Sequence, residues 1–311
     1  MSPECVIKHL LGIDKKEGLN VRSFIRSWHR RLGPLFYKKK YSAHDVVRAM
    51  ERAGMKRGST VLIQSSWKEF YNCTSSPTEL IDEILRSIGP EGTLCMACMP
   101  IRTKGKPMDF ATGRTTAGYL AECFRKYPGV VRSINRHSVV ALGPNAHYLL
   151  DEHHLGETPW DEKSPYYRLT QVDALVFGLG LGSYWMGTVA HCTESLLRNK
   201  DPFITSLWNK TKTAYHYIDI DGEEKVYQNY GMRTIRLPSY FKQRRIIRKY
   251  LTNYYQQVSN LQISCFEAKQ VVSVLNDLAF QGKTTIRYPF RGVWMLKNRN
   301  KLSYSLMKGN S

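Results

Sequence analysis

Long apolar runs and patterned cysteines are both missing from this 311-residue sequence. No stretch of about 18 apolar residues occurs, which argues against a transmembrane helix. The N-terminus also lacks the apolar segment and the small-residue cleavage site of a signal peptide. The seven cysteines are scattered and odd in number, which is typical of reduced thiols in a cytoplasm and not of a disulfide framework. We therefore expect a cytoplasmic protein without a disulfide scaffold.

Metal-binding spacings are scarce as well. Cys95 and Cys98 form a C-x-x-C, but no second pair completes a zinc site. The surrounding run, residues 93–99, has the composition of a buried strand. We interpret both cysteines as small core residues and expect no metal.

Acidic residues are scarce at the two ends of the chain. Residues 1–40 carry ten Lys and Arg against three Asp and Glu, and residues 241–311 carry thirteen against two. Residues 41–240 hold 23 basic and 21 acidic side chains, although the whole chain has a formal net charge of +20. Such a charge can indicate a nucleic-acid ligand. The distribution of the charge argues against a nucleic-acid ligand and predicts a nearly neutral catalytic core with basic extensions. Nucleic-acid association remains an alternative that is based on charge alone.

Both basic ends mix cations with large apolar side chains. Phe24, Ile25 and Trp28 stand at helical spacing among arginines, and residues 240–250 are similar. Such segments can lie on an anionic membrane surface, or they can be solvated helices packed on the core. The first reading predicts contact with the inner face of a membrane. We divide the chain into a basic amphipathic N-terminal extension (1–41), a catalytic domain (42–282) and a basic C-terminal tail (283–311).

Apolar strands alternate with helices through the middle of the chain. Ser42 is a plausible N-cap, and Pro77 lies in the first turn of the second predicted helix. After Pro202 the pattern changes to hairpin-like strands around a turn signal at residues 219–222. The alternation predicts an α/β fold with a central, largely parallel sheet flanked by helices. Strands are predicted at 60–64, 93–99, 138–142 and 174–177, and helices at 41–53, 76–88, 116–126 and 188–199.

Six short motifs follow one another between Val61 and Glu194. In their order and approximate spacing they resemble the aminoglycoside 3-N-acetyltransferase family. Each motif is weak alone, and the series carries the resemblance. The motifs are Val61 to Ser66, Gly89 to Leu94, Pro128 to Ser133, His137-Ser138 with Ala141 to Gly143, His153 with Thr158-Pro159 and Ser164-Pro165, and Thr188-x-x-His191-x-x-Glu194.

The resemblance implies a sandwich-like α/β enzyme that moves an acetyl group from acetyl-coenzyme A to an amino group of an aminosugar or aminoglycoside-like acceptor. The attacking amine must be deprotonated, so a general base is required, and histidine is the usual choice. No covalent enzyme intermediate is needed because the thioester is already activated. We therefore expect direct transfer assisted by a histidine.

Three residues are candidates for the catalytic chemistry. By resemblance, the family's catalytic histidine falls at His153, five residues before Thr158; the alternative is a helix-end histidine satisfied by water. His191 and Glu194 are three residues apart on a predicted helix and can share one face. His191 is then either a second active-site group or a structural histidine bonded to Glu194.

Polar residues after predicted strands are candidates for ligand binding, because α/β folds bind ligands at the carboxyl ends of their strands. For each serine and threonine the alternative is an ordinary helix N-cap. The glycine-rich turn at residues 178–182 is a further place where the backbone can approach a ligand. For acetyl-coenzyme A we name Ser65, Ser66, Lys68, Thr115, Arg132, Ser133 and Ser138. For the acceptor we name Asp109, Glu157, Trp160 and Asp161.

The sequence departs from the family pattern at two places. Residues 182–187 contain no carboxylate where the family usually has one that orients the catalytic histidine, so Glu157, Asp161 or Asp109 could substitute. Asn135-Arg136 stands where most members have His-Pro. The first departure puts full activity in doubt.

The acceptor is the least determined part of the function. Aminoglycosides are polycations that need acidic pockets, so the basic charge argues against an antibiotic-resistance role. We favour an aminosugar of surface-polysaccharide or lipid-linked glycan synthesis, modified by a peripheral enzyme. The alternative is a non-catalytic binding protein on a degenerate acetyltransferase fold. A homodimer is kept open as the assembly.

Overall fold

The computed structural model describes residues 3–11, 21–182, 185–232, 237–238, 240–281, 283 and 286–287. Most of the predicted C-terminal tail, and the predicted boundary at Gly282, therefore lie outside the described residues. The helices are α1 (Pro3–Leu10), α2 (Val21–Phe36), α3 (Ala43–Arg52), α4 (Pro77–Ile88), α5 (Tyr119–Arg125), α6 (Ala146–Leu150), α7 (Pro165–Arg168), α8 (His191–Leu196), α9 (Pro202–Thr205), α10 (Tyr240–Tyr250) and α11 (Ala268–Phe280). The strands are β1 (Thr60–Ser65), β2 (Thr93–Ala97), β3 (Met108–Asp109), β4 (Val131–Arg132), β5 (Val139–Leu142), β6 (Leu175–Leu179), β7 (Trp208–Ile218), β8 (Glu224–Met232), β9 (Leu237–Pro238), β10 (Tyr254–Val258), β11 (Leu261–Glu267) and β12 (Ile286–Arg287).

Seven strands form the central sheet, in the order β10-β11-β6-β1-β2-β5-β4. Strand β1 lies in the middle and runs parallel to both β2 and β6. The outer pairings, β2 with β5, β5 with β4, β6 with β11 and β11 with β10, are antiparallel. The α/β fold class is confirmed, with parallel pairing confined to the three middle strands. The carboxyl ends of these strands therefore share one edge of the sheet.

Both faces of the sheet are covered by helices. Val61 and Ile63 on β1 face a core formed with α3, α4 and α5, whereas Leu62 faces a core that includes residues of α6, α8 and α11. This alternation is what a strand buried on both faces requires. Cys95 packs with Leu62, and Cys98 with Ile63. Both cysteines are fully buried and free, so their interpretation as core residues is confirmed.

Two helix starts follow the predicted caps. Ser42 accepts a hydrogen bond from the backbone N–H of Asp45, whose carboxylate accepts one from the Ser42 N–H. Ser76 and Glu79 make the same reciprocal pair at the start of α4. Each pair satisfies two backbone donors that the helix itself cannot satisfy. Local sequence alone therefore determines where these helices begin.

Two other predicted helices are shorter than expected. Helix α5 begins at Tyr119 and not at Thr116, because Gly118 has a φ of +113°, outside the helical region. The helix predicted over 188–199 is a 3-10 turn at Thr188–Ala190 followed by α8. In both cases the residues before the helix belong to the loops at the carboxyl edge.

The predicted hairpin is present as β7 and β8, which join β3 in a separate three-stranded sheet. Asp219 stabilises its turn by accepting N–H bonds from Asp221 and Glu223, and Gly222 has a φ of +85°. Met108, Phe110, Tyr217 and Tyr227 form a small apolar cluster in this sheet. The hairpin thus has its own core beside the main sheet.

Helix α2 connects the N-terminal extension to the domain. Arg30 forms an ion pair with Glu69 at 3.0 Å, and Ser27 is buried. Phe24, Trp28 and several other large apolar side chains of α1 and α2 are exposed. In the described part of the chain, no helix has both the length and the apolar character to cross a membrane.

Candidate active site

Hydrogen bonds join several loops at the carboxyl edge of the parallel strands β1, β2 and β6. Arg132 donates hydrogen bonds to the carbonyls of Cys98 and Gly113, each at 2.8 Å, and to Ser138 Oγ at 3.3 Å. Ser138 in turn donates to the Cys98 carbonyl. Burial lowers the pKa of the Arg132 guanidinium. These two predicted cofactor residues therefore hold the ends of β2, β4 and β5 together.

His153 lies on a single 3-10 turn, His153–Leu155, and is completely buried. Its Nε2 lies 3.1 Å from the carbonyl oxygen of Pro159, and its Nδ1 lies 2.9 Å from Ser133 Oγ. The carbonyl can only accept, so Nε2 carries the proton and Nδ1 accepts from the serine hydroxyl. Ser133 Oγ also accepts the N–H of Val139 at 2.9 Å. Burial lowers the pKa of His153 to about 3, so the ring is neutral.

His191 begins helix α8 and faces a carboxylate. Its Nδ1 lies 3.1 Å from Glu194 Oε2; the His191 side chain is 30% exposed and that of Glu194 is 8% exposed. The predicted i, i+3 proximity is therefore present. A carboxylate at Nδ1 fixes the orientation and tautomer of an imidazole, which leaves Nε2 as the basic nitrogen.

Three contacts hold α8 against the rest of the edge. Gln64 donates from Nε2 to Thr188 Oγ1 at 2.7 Å and accepts the Thr188 N–H at 3.0 Å. The hydroxyls of Thr158 and Ser195 are hydrogen-bonded to each other, and Trp208 Nε1 donates to the Glu194 carbonyl. The helix that carries His191 is thereby positioned by β1, by the loop after His153 and by β7.

Trp160 connects two histidines. Its ring centroid lies 4.6 Å from that of His137 and 4.9 Å from that of His191. The indole is almost completely buried, and its Nε1 has no hydrogen-bond partner among the described residues. Burial, together with the adjacent positive charge of Arg136, lowers the pKa of His137 well below its usual value. The Trp160 indole therefore contacts both a neutral imidazole, that of His137, and His191.

A cavity of about 500 Å³ opens next to His137 at the end of β2. The volume suits a small polar ligand. Its lining is positively charged and contains no carboxylate. The lining residues are Met99, Pro100, Ile101, Arg102, Thr103, Lys104, Thr116, Arg136 and His137.

The carboxylates predicted to bind the acceptor are engaged by the protein itself. Asp109 accepts hydrogen bonds from the backbone N–H and hydroxyl of Thr112. Asp161 accepts the N–H groups of Thr158 and Lys163. Their positions are those of loop-stabilising residues.

Glu157 is half-exposed and lies between two cations. Its carboxylate is 3.4 Å from Lys212 Nζ and 4.0 Å from Arg198 Nη2. The Glu157 carbonyl accepts the N–H of Tyr230 at 2.7 Å. This residue therefore ties its loop to the β7–β8 hairpin, and of the four predicted acceptor residues the structure brings only Trp160 next to the histidines.

The remaining cofactor candidates lie around the ends of β1 and β2. Ser65 and Ser66 are half-buried, and in the described structure neither hydroxyl has a hydrogen-bond partner. Lys68 follows on an exposed turn. Thr115 Oγ1 donates to the Met99 carbonyl at 2.9 Å and accepts the N–H of Ala117 at 3.0 Å. Ser65 and Ser66 thus have donor groups to offer a ligand, whereas the Thr115 hydroxyl is used within its loop.

The glycine-rich turn is filled by side chains of the protein. A Cβ on Gly178 would lie 2.5 Å from Trp185, and one on Gly180 would lie 2.7 Å from Cβ of Glu69. Gly180 also has a φ of +71°. In this structure these glycines make room for Trp185 and Glu69, which explains their presence without a ligand.

Sequence reasoning missed the charged residues that line the cavity. Arg136 was noted only as a departure from a pattern, and His137 only as part of a motif. Arg102 and Lys104 lie in a loop with no apolar period or recognisable spacing. The signal that could have found them is their position after β2 and before β5, at the edge where ligands bind.

Comparison with known proteins supports the resemblance. The model of a family described as aminoglycoside 3-N-acetyltransferase matches residues 62–279, well over half of the chain. Aminoglycoside N(3)-acetyltransferase IV from Salmonella sp is 27% identical over 156 residues, which cover 50% of this chain and 59% of that protein. Aminoglycoside N(3)-acetyltransferase VIII from Streptomyces fradiae is 30% identical over 164 residues, which cover 43% of this chain and 54% of that protein. The chain thus spans somewhat more than half the length of these two relatives.

Solved structures show the same fold at low sequence identity. Aminoglycoside acetyltransferase AAC(3)-Xa has a TM-score of 0.67 at 20% identity, over 83% of this chain and 99% of that one. The complex of AAC-IIIb with CoASH has a TM-score of 0.65 at 17% identity, over 79% and 99%. A histidine-to-alanine mutant of AAC(3)-IVa in complex with a gentamicin has a TM-score of 0.65 at 21% identity, over 82% and 94%. Together with the match of the family model, these likenesses lead to one conclusion: the chain belongs to the aminoglycoside 3-N-acetyltransferase family.

Proposed function

We propose that the protein transfers an acetyl group from acetyl-coenzyme A to an amino group of an aminosugar-like acceptor, with His191 as the general base. The observation that carries the proposal is the His191–Glu194 pair, 3.1 Å apart and partly exposed, whose imidazole contacts Trp160. Trp160 in turn contacts His137 at the wall of the cavity. Two relatives carry the name aminoglycoside N(3)-acetyltransferase, and a structure of the same fold holds CoASH.

Ser65 and Ser66 fit a role in holding coenzyme A. They stand at the carboxyl end of β1, and their hydroxyls have no partner in the described structure. Hydroxyls of this kind can bond the amide groups or phosphate oxygens of the cofactor. Acetyl-coenzyme A supplies an acetyl group that is already activated as a thioester. The protein then needs only to orient the amine, take its proton and stabilise charge on the carbonyl oxygen.

The amine nitrogen attacks the thioester carbonyl carbon, and the carbon–sulfur bond breaks as the amide forms. His191 Nε2 takes the proton that the amine loses, and the departing thiolate gains a proton. Glu194 stabilises the imidazolium that forms, because its carboxylate accepts a hydrogen bond from Nδ1–H and stays negatively charged. His137, which lines the cavity and is neutral, can donate one ring N–H toward the carbonyl oxygen.

His153 fits the role of base less well than His191. Both of its nitrogens are used, one by Pro159 and one by Ser133, and no part of the ring is exposed. A base must come within hydrogen-bonding reach of the substrate. We therefore propose His153 as the residue that positions the loop bearing Trp160.

The test is release of free thiol from acetyl-coenzyme A in the presence of a panel of amines. The panel contains glucosamine, galactosamine, sugar phosphates with a free amine, and the aminoglycosides gentamicin and apramycin. The expected result is thiol release that depends on one class of amine, with mass spectrometry showing the acetylated product. Absence of turnover with every amine, combined with absence of acetyl-coenzyme A binding by calorimetry, would favour a binding protein on this fold.

A peripheral membrane role is a second proposal, for the N-terminal extension at residues 1–41. It is favoured by the exposed apolar side chains of α2, which lie among arginines and lysines. Apolar insertion and attraction to anionic lipid would then act together. The full-length protein should sediment with vesicles containing phosphatidylglycerol and not with pure phosphatidylcholine vesicles. Leu35→Ser and Phe36→Ser together should abolish sedimentation, and equal binding by this variant would contradict the proposal.

A further inference from the structure

The cavity beside His137 has the charge expected for an anionic ligand. Arg102, Lys104 and Arg136 all line it, and no lining residue is acidic. In the described ranges, none of these three cations has a carboxylate oxygen within 4.0 Å. Their charge is therefore not neutralised by the described protein and is available to a ligand in the cavity.

Arg136 is held in place by the β7–β8 hairpin. Its backbone N–H donates to the Tyr227 hydroxyl at 2.6 Å, and its guanidinium lies 5.3 Å from the ring centroid of Tyr215. A Cβ placed on Gly231 would lie 3.6 Å from Arg136 Nη2. An aromatic side chain and a glycine of the hairpin thus limit the positions that the guanidinium can take, which reduces the entropy lost when it binds a ligand.

Arg136 also has a buried donor that the protein does not use. Its Nε is inaccessible to solvent and has no hydrogen-bond partner in the described structure. A buried N–H without an acceptor is costly, and a guanidinium matches the oxygens of phosphate and carboxylate groups. Because solvent does not reach this Nε, a ligand in the cavity meets Arg136 through the positive charge of its guanidinium and not through this N–H.

We propose that this cavity binds an anionic group, and that the group belongs to the amine acceptor. The acceptor is thus an aminosugar that carries a phosphate. This inference rests on the proposed acetyl transfer and names the substrate class of the same site. A positively charged cavity is the opposite of what a polycationic aminoglycoside requires. The three carboxylates predicted to bind such a cation are also engaged elsewhere in the fold.

Phosphate could come from either substrate, since coenzyme A also carries phosphates. The position of the cavity favours the acceptor. Its wall, His137, contacts the Trp160 ring, and the same ring contacts His191. The phosphates of coenzyme A are separated from the thioester by the whole pantetheine arm. A phosphate in a cavity that is two ring contacts away from His191 is therefore more readily explained by a small acceptor.

The experiment compares glucosamine with glucosamine 6-phosphate as acceptors, and acetyl-coenzyme A with its 3′-dephospho form as donors. The phosphorylated amine should have a kcat/KM about tenfold or more above that of glucosamine, as expected for charge-assisted hydrogen bonds. Arg136→Gln and Lys104→Gln should each remove most of this preference while changing the KM for acetyl-coenzyme A less than about twofold. Lys106→Gln is the matched control, because Lys106 is an exposed lysine of the same loop that does not line the cavity.

Two results would overturn the proposal. One is an equal or greater kcat/KM for the unphosphorylated amine. The other is a variant effect confined to the donor, with a raised KM for acetyl-coenzyme A that disappears with the dephospho form; the cavity would then belong to the cofactor. Lys104→Gln keeps the test valid if Arg136→Gln fails to fold, since Lys104 is exposed.

Binding without turnover separates this proposal from the proposed reaction. Inorganic phosphate and glucosamine 6-phosphate, at ionic strength matched with chloride, should raise the Tm of the wild-type protein and of Lys106→Gln but not of Lys104→Gln. If phosphate binds in this way and no amine is acetylated, the anion site stands and the reaction is wrong. If turnover occurs but neither phosphate compound binds, the reaction stands and the anion site is wrong.

Discussion

The loop that carries His153 and the helix that carries His191 place the same side chain in opposite surroundings. His153 is fully buried, and both of its ring nitrogens are hydrogen-bonded within the protein. His191 is partly exposed and has a carboxylate at Nδ1. Burial without a countercharge favours the neutral form of His153. A proton acceptor must also come within reach of the substrate, and of these two rings that of His191 is the exposed one.

The two regions nevertheless depend on each other. Trp160 follows Pro159, whose carbonyl accepts the hydrogen bond from His153, and the Trp160 ring contacts His191. Thr158 in the same loop is hydrogen-bonded to Ser195 on α8. The buried histidine therefore supports the loop whose indole contacts the partly exposed histidine. Four measurements test whether the two residues differ in role as they differ in surroundings.

The largest effect is expected for His191→Ala. Loss of the general base should lower kcat by about 100-fold or more, with little change in the free energy of unfolding. The measurement is steady-state thiol release, and His153→Gln at equal folded concentration is the control. A larger loss of kcat in the control than in His191→Ala would reverse the two roles.

His153→Ala should chiefly affect stability. The change leaves a cavity and removes the partners of the Pro159 carbonyl and the Ser133 hydroxyl, so we expect a loss of about 3 kcal/mol in the free energy of unfolding. Urea denaturation followed by tryptophan fluorescence measures it. A wild-type midpoint would mean that the hydrogen bonds of His153 do not support the fold.

The pH dependence of stability should also separate the histidines. His153 has a pKa of about 3 when folded, below the ordinary value of about 6.5 that it regains on unfolding. Between these values the unfolded chain binds a proton that the folded protein does not, so the stabilisation present above about pH 6.5 is lost as the pH falls toward 3. His153→Gln, which keeps a donor for Pro159 but cannot titrate, should show a shallower decline between about pH 6.5 and 4.5 in urea melts. Parallel curves for variant and wild type would contradict the buried, neutral state of His153.

The smallest effect is expected for Glu194→Gln. The amide can still hydrogen-bond to His191 but no longer stabilises an imidazolium, so kcat should fall about tenfold while the acceptor KM stays nearly unchanged. Glu194→Asp should recover part of the loss if the negative charge is what matters. A raised KM with unchanged kcat would instead place Glu194 in acceptor binding.

Local sequence patterns were sufficient to predict the elements whose structure depends on neighbouring residues. The capping boxes at Ser42 and Ser76, the apolar strand at β1 and the turn at Asp219 to Gly222 depend on residues within a few positions of one another. The series of six motifs was sufficient to predict the family and the fold class. Neither source of information contains the contacts that define the site.

The surroundings of each site residue come from distant parts of the chain. The ring nitrogens of His153 are hydrogen-bonded to Ser133 and Pro159, and Arg132 donates to the carbonyls of Cys98 and Gly113. Asp109 and Asp161 look available in the sequence, yet each is satisfied by backbone N–H groups of its own loop. A spacing can indicate which side chains share an edge, but it cannot indicate how many of their hydrogen bonds are already made.

The position of the β7–β8 hairpin has a consequence for mutations in it. Within the described residues it pairs with β3 and stands outside the central sheet, yet its Tyr215 and Tyr227 contact Arg136 at the cavity. The same hairpin also contacts α8, because Trp208 at the start of β7 donates a hydrogen bond to the Glu194 carbonyl. A change in the hairpin is therefore felt both at the cavity and at the helix that carries His191. In this architecture the two regions are coupled through one peripheral element.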